Sequence, residues 1–367
     1  MPTLFGKRYS RKEILRRVGD ISQLGGIRLV ELLDGNARGV RAADFATATG
    51  LTFTVLLDRG MDIGPAAWRG RPLAWNSMTG PVHPAFFEPQ SLGFLRSFHG
   101  GLLSTCGLTW CGPPCTDEGQ ELGLHGRASH SPARQVSVHS AWEGDEYLFS
   151  VEGTVREASV FGPNVSLTRT VSARLGDDRF RVRDVIRNEG FEPAPLMLLY
   201  HINGGFPVVS EHTELLSPTK SIEPVTDYAA SIAERYNRFD PPTHGIGEAC
   251  YRHKLASARD GTVIVALVNR KLDGGFGYYI RYNRRQLPHF TEWKMMGEGM
   301  YVVGTEPCTM RLASRAELRE RGELEFLEPG QERLIELEIG VVSSQRQVRE
   351  IAAFCRKLTT PRRRKAR

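Results

Sequence analysis

Stretches in which apolar and polar residues alternate recur along this 367-residue chain. In residues 147–155 the odd positions are mostly apolar and the even positions mostly polar, and residues 335–341 repeat the pattern. A period of two places the apolar side chains on one face of an extended segment, which is typical of a half-buried β-strand. Further strand candidates begin at Ile27, Leu51, Val165, Arg179, Ala194, Thr262, Gly277 and His289. A chain with this many strands has to build large sheets.

Helical signals are few by comparison. Ser10 and Glu13 match a capping box at the start of residues 10–17, and helical patterns also cover residues 228–238 and 344–357. The chain shows neither a fixed-period repeat nor a regular alternation of strands with helices, which argues against solenoids and doubly wound folds. We therefore predict an all-β protein, a large antiparallel β-sandwich with a few short helices.

The domain organisation follows from length and composition. A hydrophobic content of 40% suffices for a large core. No linker rich in Ser, Pro or Gly divides the chain, and β-sandwiches often exceed the usual domain size as one unit. We expect one sandwich domain over residues 25–342. An N-terminal extension with a short helix (1–24) would precede it, and a C-terminal helix with a basic tail (343–367) would follow.

The charge pattern narrows the range of partners. The formal net charge is +6, and part of it lies in residues 361–367, a basic run without interleaved aromatic residues. No nucleic-acid-reading motif is present, so we expect a small-molecule ligand, and the mild positive charge would favour an anionic one such as a phosphorylated sugar. The N-terminus has no apolar core of a signal peptide, and no apolar run approaches the ~18 residues of a membrane span. We expect a cytoplasmic protein without membrane contacts.

The cysteines argue against a metal site. The six cysteines are expected to be reduced, because no secretion signal accompanies them. Cys106, Cys111 and Cys115 share a segment with several histidines, but their spacing matches no zinc pattern. No base stands beside them in the sequence, which disfavours a catalytic cysteine. We therefore expect no metal and no other cofactor.

Residues 65–132 form a long stretch rich in Gly, Pro, Trp, His and Cys, with little periodicity. A connection of this length without regular structure is uncommon inside a compact domain, and long ordered loops often carry function.

Three titratable residues stand beside strand-like apolar runs and turn-forming residues: His125, His201 and Glu306. An ionisable group near a sheet interior is costly unless it is paired, so three such placements suggest one shared site. Opening and reclosing a sugar hemiacetal needs a base for the anomeric hydroxyl and an acid for the ring oxygen. Glu306 is the better base, and His201 is the better acid if a neighbouring carboxylate holds it protonated.

Five segments that include these residues resemble the aldose 1-epimerase (galactose mutarotase-like) superfamily. The resemblance spans roughly residues 25–340 and is greatest to the bacterial aldose 1-epimerase-like branch, whose substrates are mostly unassigned. The segments are DRGMDI (58–63), GGLLSTCGLTWCGPP (100–114), LGLHGR (122–127), YHINGGFP (200–207) and EWKMMGEGMYVVGTEP (292–307).

The resemblance implies a galactose mutarotase-like supersandwich and assigns roles to the titratable residues. His201 would be the general acid, Glu306 the general base, and His125 would bind or orient the sugar together with Asn203. The chain departs from galactose-type members at Ile202 and in the Gly-Gly that follows Asn203, which puts galactose as the substrate in doubt.

Further candidates for sugar binding come from the charged and aromatic residues of the same segments. Arg59 and Asp62 could bind hydroxyls or an anionic substituent, or could form a turn-stabilising ion pair. Glu292 and Lys294 share one face of an extended segment and Trp293 takes the other, so either the charges or the tryptophan reach the site. Trp75 could stack on a sugar, although a buried tryptophan is more often part of a core.

The sequence thus favours a mutarotase that works by general acid–base catalysis, as a monomer or homodimer. Two alternatives stay open on the same fold: epimerisation or isomerisation at a ring carbon, and carbohydrate binding without catalysis.

Overall fold

The computed structural model describes residues 1–360, and its main feature is a pair of antiparallel sheets. The prediction of an all-β antiparallel sandwich is confirmed. The larger sheet has eleven strands within the described residues, and the order of its strands in space differs from their order in sequence. Its strands, in spatial order, are Thr219–Pro224, Ala249–Leu255, His289–Gly297, Met300–Cys308, Met197–Gly204, Leu103–Leu108, Asp62–Trp68, Leu51–Leu56, Arg41–Ala46 and Gly26–Glu31, with Arg71–Pro72 attached to Asp62–Trp68.

The second sheet has eight strands, and it carries the longest alternating segments of the sequence. Along Glu146–Ala158 the burial alternates residue by residue, as its period of two predicts. Its strands, in spatial order, are Arg134–Glu143, Glu146–Ala158, Asn164–Arg174, Arg179–Asn188, Glu332–Val342, Phe276–Asn283, Thr262–Asn269 and Thr213–Leu216. Short strand pairs complete the β-structure: Thr3–Leu4 with Lys7–Arg8, Trp75–Asn76 with Gly100–Gly101, Cys115–Asp117 with Gln120–Leu122, and Ala194–Pro195 with Phe326–Leu327.

The main core lies between the two sheets. Phe53 of the larger sheet stacks on Phe45 of the same sheet and on Phe180 of the other, with ring centroids 4.5 and 4.2 Å apart. One continuous apolar cluster joins the inner faces of both sheets. Burial of this shared surface is the main contribution to holding the sheets together.

The outer face of the larger sheet carries a second apolar cluster, formed where residues 65–132 cross the sheet. That stretch is less irregular than expected, because it contains the central strand Leu103–Leu108, which the sequence did not predict. Both faces of this strand are covered, and all six of its residues are buried. The strand therefore shows no polar–apolar alternation. The cluster comprises Phe94, Phe98, Cys106, Cys111, Met197, Leu199, Cys308, Met310, Ala313 and Leu318.

The α-helices are short and peripheral, except the last. The Ser10–Glu13 capping box is present, but its helix is only Arg11–Leu15. The helix Gln345–Thr359 packs its Val348, Ile351 and Cys355 side against the outer face of the eight-stranded sheet. The remaining α-helices of the described residues are Asp227–Ser231, which overlaps the predicted 228–238 region, and Arg315–Glu320, which was not predicted. The predicted basic tail, residues 361–367, lies outside the described residues, and the domain boundaries stay predictions.

None of the helices within residues 1–360 is long and apolar enough to cross a membrane.

Candidate active site

His201 and Glu306 lie side by side on the outer face of the larger sheet. The strands Met197–Gly204 and Met300–Cys308 are hydrogen-bonded neighbours, and Ile202 pairs with Thr305. His201 and Glu306 flank this pair on the opposite face, and His201 Nε2 lies 3.2 Å from Glu306 Oε1. The side chains are 6% and 3% exposed, so water has little access to the contact. The sequence expectation that these two residues share a site agrees with this geometry.

Asn203 orients the His201 ring. Its Oδ1 lies 2.5 Å from His201 Nδ1, and its Nδ2 donates to the main-chain oxygens of His201 and Gly100. Because the amide nitrogen faces two carbonyls, Oδ1 must accept the contact with the ring, which places a proton on Nδ1. The other nitrogen, Nε2, faces Glu306 Oε1 and carries no proton in the neutral ring.

Burial disfavours charge on both members of the pair. It lowers the pKa of His201 to about 3, with a smaller contribution from His125. It raises the pKa of Glu306 well above its usual value, and the nearby Glu292 and Glu248 add to that shift. The contact also lacks hydrogen-bond geometry, since Glu306 Oε1 has no hydrogen-bond partner among the described residues. The expectation that the carboxylate keeps His201 protonated is therefore not met; the favoured form is a neutral pair with its one proton on Glu306.

Gly304 makes room for the pair. A Cβ at this position would lie 2.3 Å from Glu306 Oε1 and 3.2 Å from His201 Cε1. Any larger residue would therefore push the two functional groups apart. The glycine in VVGTEP, which drew no attention in the sequence, thus leaves the space that Glu306 and His201 occupy.

His125 approaches the same pair from residues 65–132. Its ring centroid is 6.0 Å from that of His201, and the ring is partly exposed. The backbone has a φ of +57°, and it is held by hydrogen bonds from His125 N to Gly112 O and from Gly107 N to His125 O. Burial lowers the pKa of His125 to about 4, so the ring is neutral at neutral pH.

Aromatic side chains form the wall around His201. Phe98 and Trp293 present edges to its ring, with centroids 5.2 and 5.5 Å away. Trp293 is fixed by its indole Nε1, which donates to Glu248 Oε2 at 2.8 Å. Trp75 packs on Phe98 at 6.0 Å, one layer behind the histidine.

Glu292 and Lys294 point to the other face of the sheet. Glu292 is fully buried, and its Oε2 lies 3.1 Å from His253 Nε2. Lys294 Nζ donates to the carbonyls of Arg235, Tyr236 and Arg238 at 3.0, 3.3 and 2.9 Å. The two charges do not reach the candidate site, and of the two orientations left open, the one that directs Trp293 toward His201 is observed.

Arg59 also forms its hydrogen bonds away from the candidate site. The side chain is fully buried and donates to the carbonyls of Ser129, Val82 and Ser97 at 2.7, 2.7 and 2.9 Å. It thus ties together three points of the long covering segment. Its expected contact with a sugar does not fit this geometry.

Asp62 lies in the interior between the sheets, and not on their outer face. It accepts hydrogen bonds from Thr105 N and Ser129 Oγ, at 2.9 and 2.5 Å. Its Oδ1 is 3.6 Å from Arg169 of the other sheet. Asp62 is therefore a structural carboxylate, and the expectation that it binds sugar hydroxyls is corrected.

Among residues 1–360, no group of three or more His, Cys, Asp or Glu side chains is arranged to hold a metal ion. A groove of about 900 Å³ lies over the strands at residues 26–67 and contains neither His201 nor Glu306. Arg28 and Asp44 form an ion pair in its lining. The groove therefore lacks the acid–base groups that distinguish the candidate site.

A family model described as "Domain of unknown function (DUF4432)" matches residues 37–341, which is most of the chain. The chain belongs to the DUF4432 family. No curated protein matches its sequence at a significant level.

Solved structures show that this DUF4432 protein has a galactose mutarotase-like fold. A Klebsiella pneumoniae protein, named provisionally as an aldose 1-epimerase, is 27% identical with a TM-score of 0.87, over 92% of this chain and 88% of that one. A galactose mutarotase-like protein from Clostridium acetobutylicum is 11% identical with a TM-score of 0.60, over 87% and 99% of the two chains. The galactose 1-epimerase of Lactobacillus acidophilus is 10% identical with a TM-score of 0.56, over 87% and 99%. The resemblance inferred from the sequence segments is confirmed at the level of fold.

Sequence reasoning missed several groups in the site of this DUF4432 protein. Glu248 lies far from every motif, and only its hydrogen bond to Trp293 reveals it. Phe98 lies just outside the GGLLSTCGLTWCGPP segment, and Cys111 within it was set aside for lack of a neighbouring base. His125 lies beside it in space, with Nδ1 3.7 Å from Cys111 Sγ, although 14 residues separate the two in the chain.

Proposed function

We propose that this protein is an aldose 1-epimerase, which interconverts the α and β anomers of an aldose by acid–base catalysis without a cofactor. The observation that carries the proposal is the contact of His201 Nε2 with Glu306 Oε1, 3.2 Å apart and shielded from water. An acid and a base at this distance can serve two oxygens of the same hemiacetal, the anomeric hydroxyl and the ring oxygen.

One proton circulates through the pair during the proposed reaction. The proton of neutral Glu306 first moves to His201 Nε2, 3.2 Å away. The resulting Glu306 carboxylate takes the proton of the anomeric hydroxyl while the C1–O5 bond breaks, and His201 Nε2–H gives its proton to O5. The open aldehyde then rotates about C1–C2. On closure, neutral His201 takes the O5 proton and Glu306 returns its proton to the carbonyl oxygen. The open-chain state leaves both residues neutral, which is the form that burial favours.

The proposed substrate is an uncharged aldose. The two cations that the sequence suggested for an anionic substituent, Arg59 and Lys294, donate to main-chain carbonyls away from the site. Carboxylates stand near the pair instead, at Glu248 and, on the opposite face, at Glu292. A phosphate beside them would be repelled. Partly exposed Trp293 and His125 offer a stacking surface and a polar group to a neutral sugar ring.

Polarimetry or exchange NMR over a panel of neutral aldoses and their 6-phosphates tests the proposal. Glu306→Gln and His201→Gln should each reduce the rate of anomerisation by about 10²- to 10⁴-fold, the usual contribution of a general acid or base. Glu292→Gln is the matched control, because it makes the same change on the opposite face of the sheet, and its rate should stay within about threefold of wild type.

Other outcomes would overturn this function in different ways. Unchanged rates in both site variants would show that Glu306 and His201 are not the base and the acid. Saturable binding of a sugar without acceleration would favour a carbohydrate-binding protein. Solvent deuterium incorporated at a carbon during turnover would favour epimerisation or isomerisation at that carbon.

The pH dependence offers a second test. The active form holds one proton on the pair, and it persists from above the lowered pKa of His201, about 3, up to the raised pKa of Glu306. The rate should therefore stay level between pH 5 and 7, whereas an isolated imidazolium acid would lose activity above about pH 6.5. A rate that falls through pH 6.5 would contradict the shared-proton pair.

A further inference from the structure

Cys111 is the closest polar neighbour of His125 outside the backbone. Its Sγ lies 3.7 Å from His125 Nδ1, and the side chain is 1% exposed. The other ring nitrogen, Nε2, makes no hydrogen bond to the described residues. His125 thus has one nitrogen directed at a thiol and one available to a ligand.

The direction of the hydrogen bond follows from the surroundings of the thiol. Burial raises the pKa of Cys111, so the sulfur carries its proton at neutral pH. An imidazole lone pair is a much better acceptor than a thiol, so S–H donates to Nδ1. The same burial rules out an activated thiolate nucleophile at this position.

The backbone fixes both partners. His125 N donates to Gly112 O at 3.0 Å, and Gly107 N donates to His125 O at 2.9 Å. Phe94 packs edge-on against the ring, with centroids 5.3 Å apart. These main-chain bonds and the Phe94 ring hold the segment of His125 beside residues 111–112, so the S–H···Nδ1 contact belongs to the folded structure of the site.

We propose that Cys111 is a positioning residue that keeps neutral His125 as its Nε2–H tautomer, so that His125 donates a hydrogen bond to a sugar oxygen. This inference rests on the proposed function for its ligand, but the tautomer itself is a property of the free protein. It makes His125 a donor that transfers no proton, which separates its role from that of His201.

Nitrogen-15 NMR of histidine-labelled, full-length protein measures the tautomer directly, even if no sugar turns over. In the wild type, His125 should show an unprotonated Nδ1 and a protonated Nε2. Cys111→Ala should lose this preference and give a mixture, and Cys111→Ser, which keeps an O–H donor, should restore it. The matched control is Cys106→Ala, which removes a buried thiol from the same apolar cluster without touching a histidine, and it should leave the tautomer unchanged.

Steady-state kinetics of the Cys111 variants distinguish a positioning role of the thiol from general damage to the structure. Cys111→Ala should raise KM for the sugar by about 3- to 10-fold, the equivalent of one neutral hydrogen bond, with kcat changed less than threefold. Cys111→Ser should recover most of that loss. A wild-type His125 protonated on Nδ1, or an unchanged tautomer in Cys111→Ala, would overturn the inference. Failure to find any mutarotase activity, with the predicted tautomers present, would overturn only the proposed function.

Discussion

At the scale of single residues, Glu306 occupies a place that is unfavourable for a carboxylate. Its Oε1 is buried without a hydrogen-bond partner in residues 1–360, and burial together with Glu292 and Glu248 raises its pKa well above the usual value. A folded-state pKa above the unfolded value means that the folded protein binds more protons in between. Its stability therefore falls as the pH rises through that window. Such a residue is best explained by function, because folding alone would select against it.

Glu306→Gln should consequently stabilise the fold while it removes activity. The gain should be on the order of 1–3 kcal/mol at pH 8, the usual cost of an unsatisfied buried polar group, and it should vanish near pH 4, where the carboxyl is protonated in both states. Urea unfolding at pH 4, 6 and 8 measures it. Glu292→Gln, which replaces a carboxylate whose Oε2 lies 3.1 Å from His253 Nε2 with a neutral amide, should give no such gain. A Glu306→Gln variant that is less stable than wild type at pH 8 would show that other groups offset the cost of burying the Glu306 carboxylate.

At the scale of elements, the two faces of the strand His289–Gly297 have different tasks: one faces the candidate site, and the other forms contacts that hold the fold. Trp293 faces His201, whereas Lys294 donates to three carbonyls of residues 235–238 and lies near the rings of Phe239 and Tyr251. Lys294→Met should cost about 2–4 kcal/mol of stability, because it leaves buried carbonyls without their donor, with KM unchanged. Trp293→Leu should raise KM with a smaller loss of stability. Urea unfolding and sugar titration of both variants measure this, and a raised KM in Lys294→Met would contradict it.

The same elements show what sequence can predict. Strands with one exposed face alternate, so Glu146–Ala158 and Glu332–Val342 were recognised, whereas Leu103–Leu108 is buried on both sides and carries no such signal. Alternation also fixes which residues share a face, but not which face meets the site; Glu292 and Lys294 were correctly placed on one face, and their orientation stayed open. Arg59 was misjudged for a related reason, since its partners are main-chain carbonyls, which leave no trace in the sequence.

At the scale of the whole molecule, a buried charge network joins the two sheets beneath the candidate site. Arg169 of the eight-stranded sheet forms two hydrogen bonds with Asp184, at 2.9 and 2.7 Å, and donates to Thr105 Oγ1 of the larger sheet at 2.7 Å. Tyr200, the neighbour of His201, donates its hydroxyl to Asp184 at 2.6 Å. The strand that carries His201 is thereby anchored across the core.

Arg169→Leu should therefore destabilise the molecule as a unit. Removal of the arginine leaves Asp184 and Asp62 buried without their cation, which should lower the free energy of unfolding by about 3–5 kcal/mol. The double variant Arg169→Leu, Asp184→Leu should recover part of this loss. Because one apolar cluster spans both sheets, unfolding should remain a single transition in every variant. Circular dichroism and tryptophan fluorescence followed in parallel during urea unfolding measure both quantities. Two separated transitions would mean that the sheets fold independently, and the charge network would then be a local feature of one sheet.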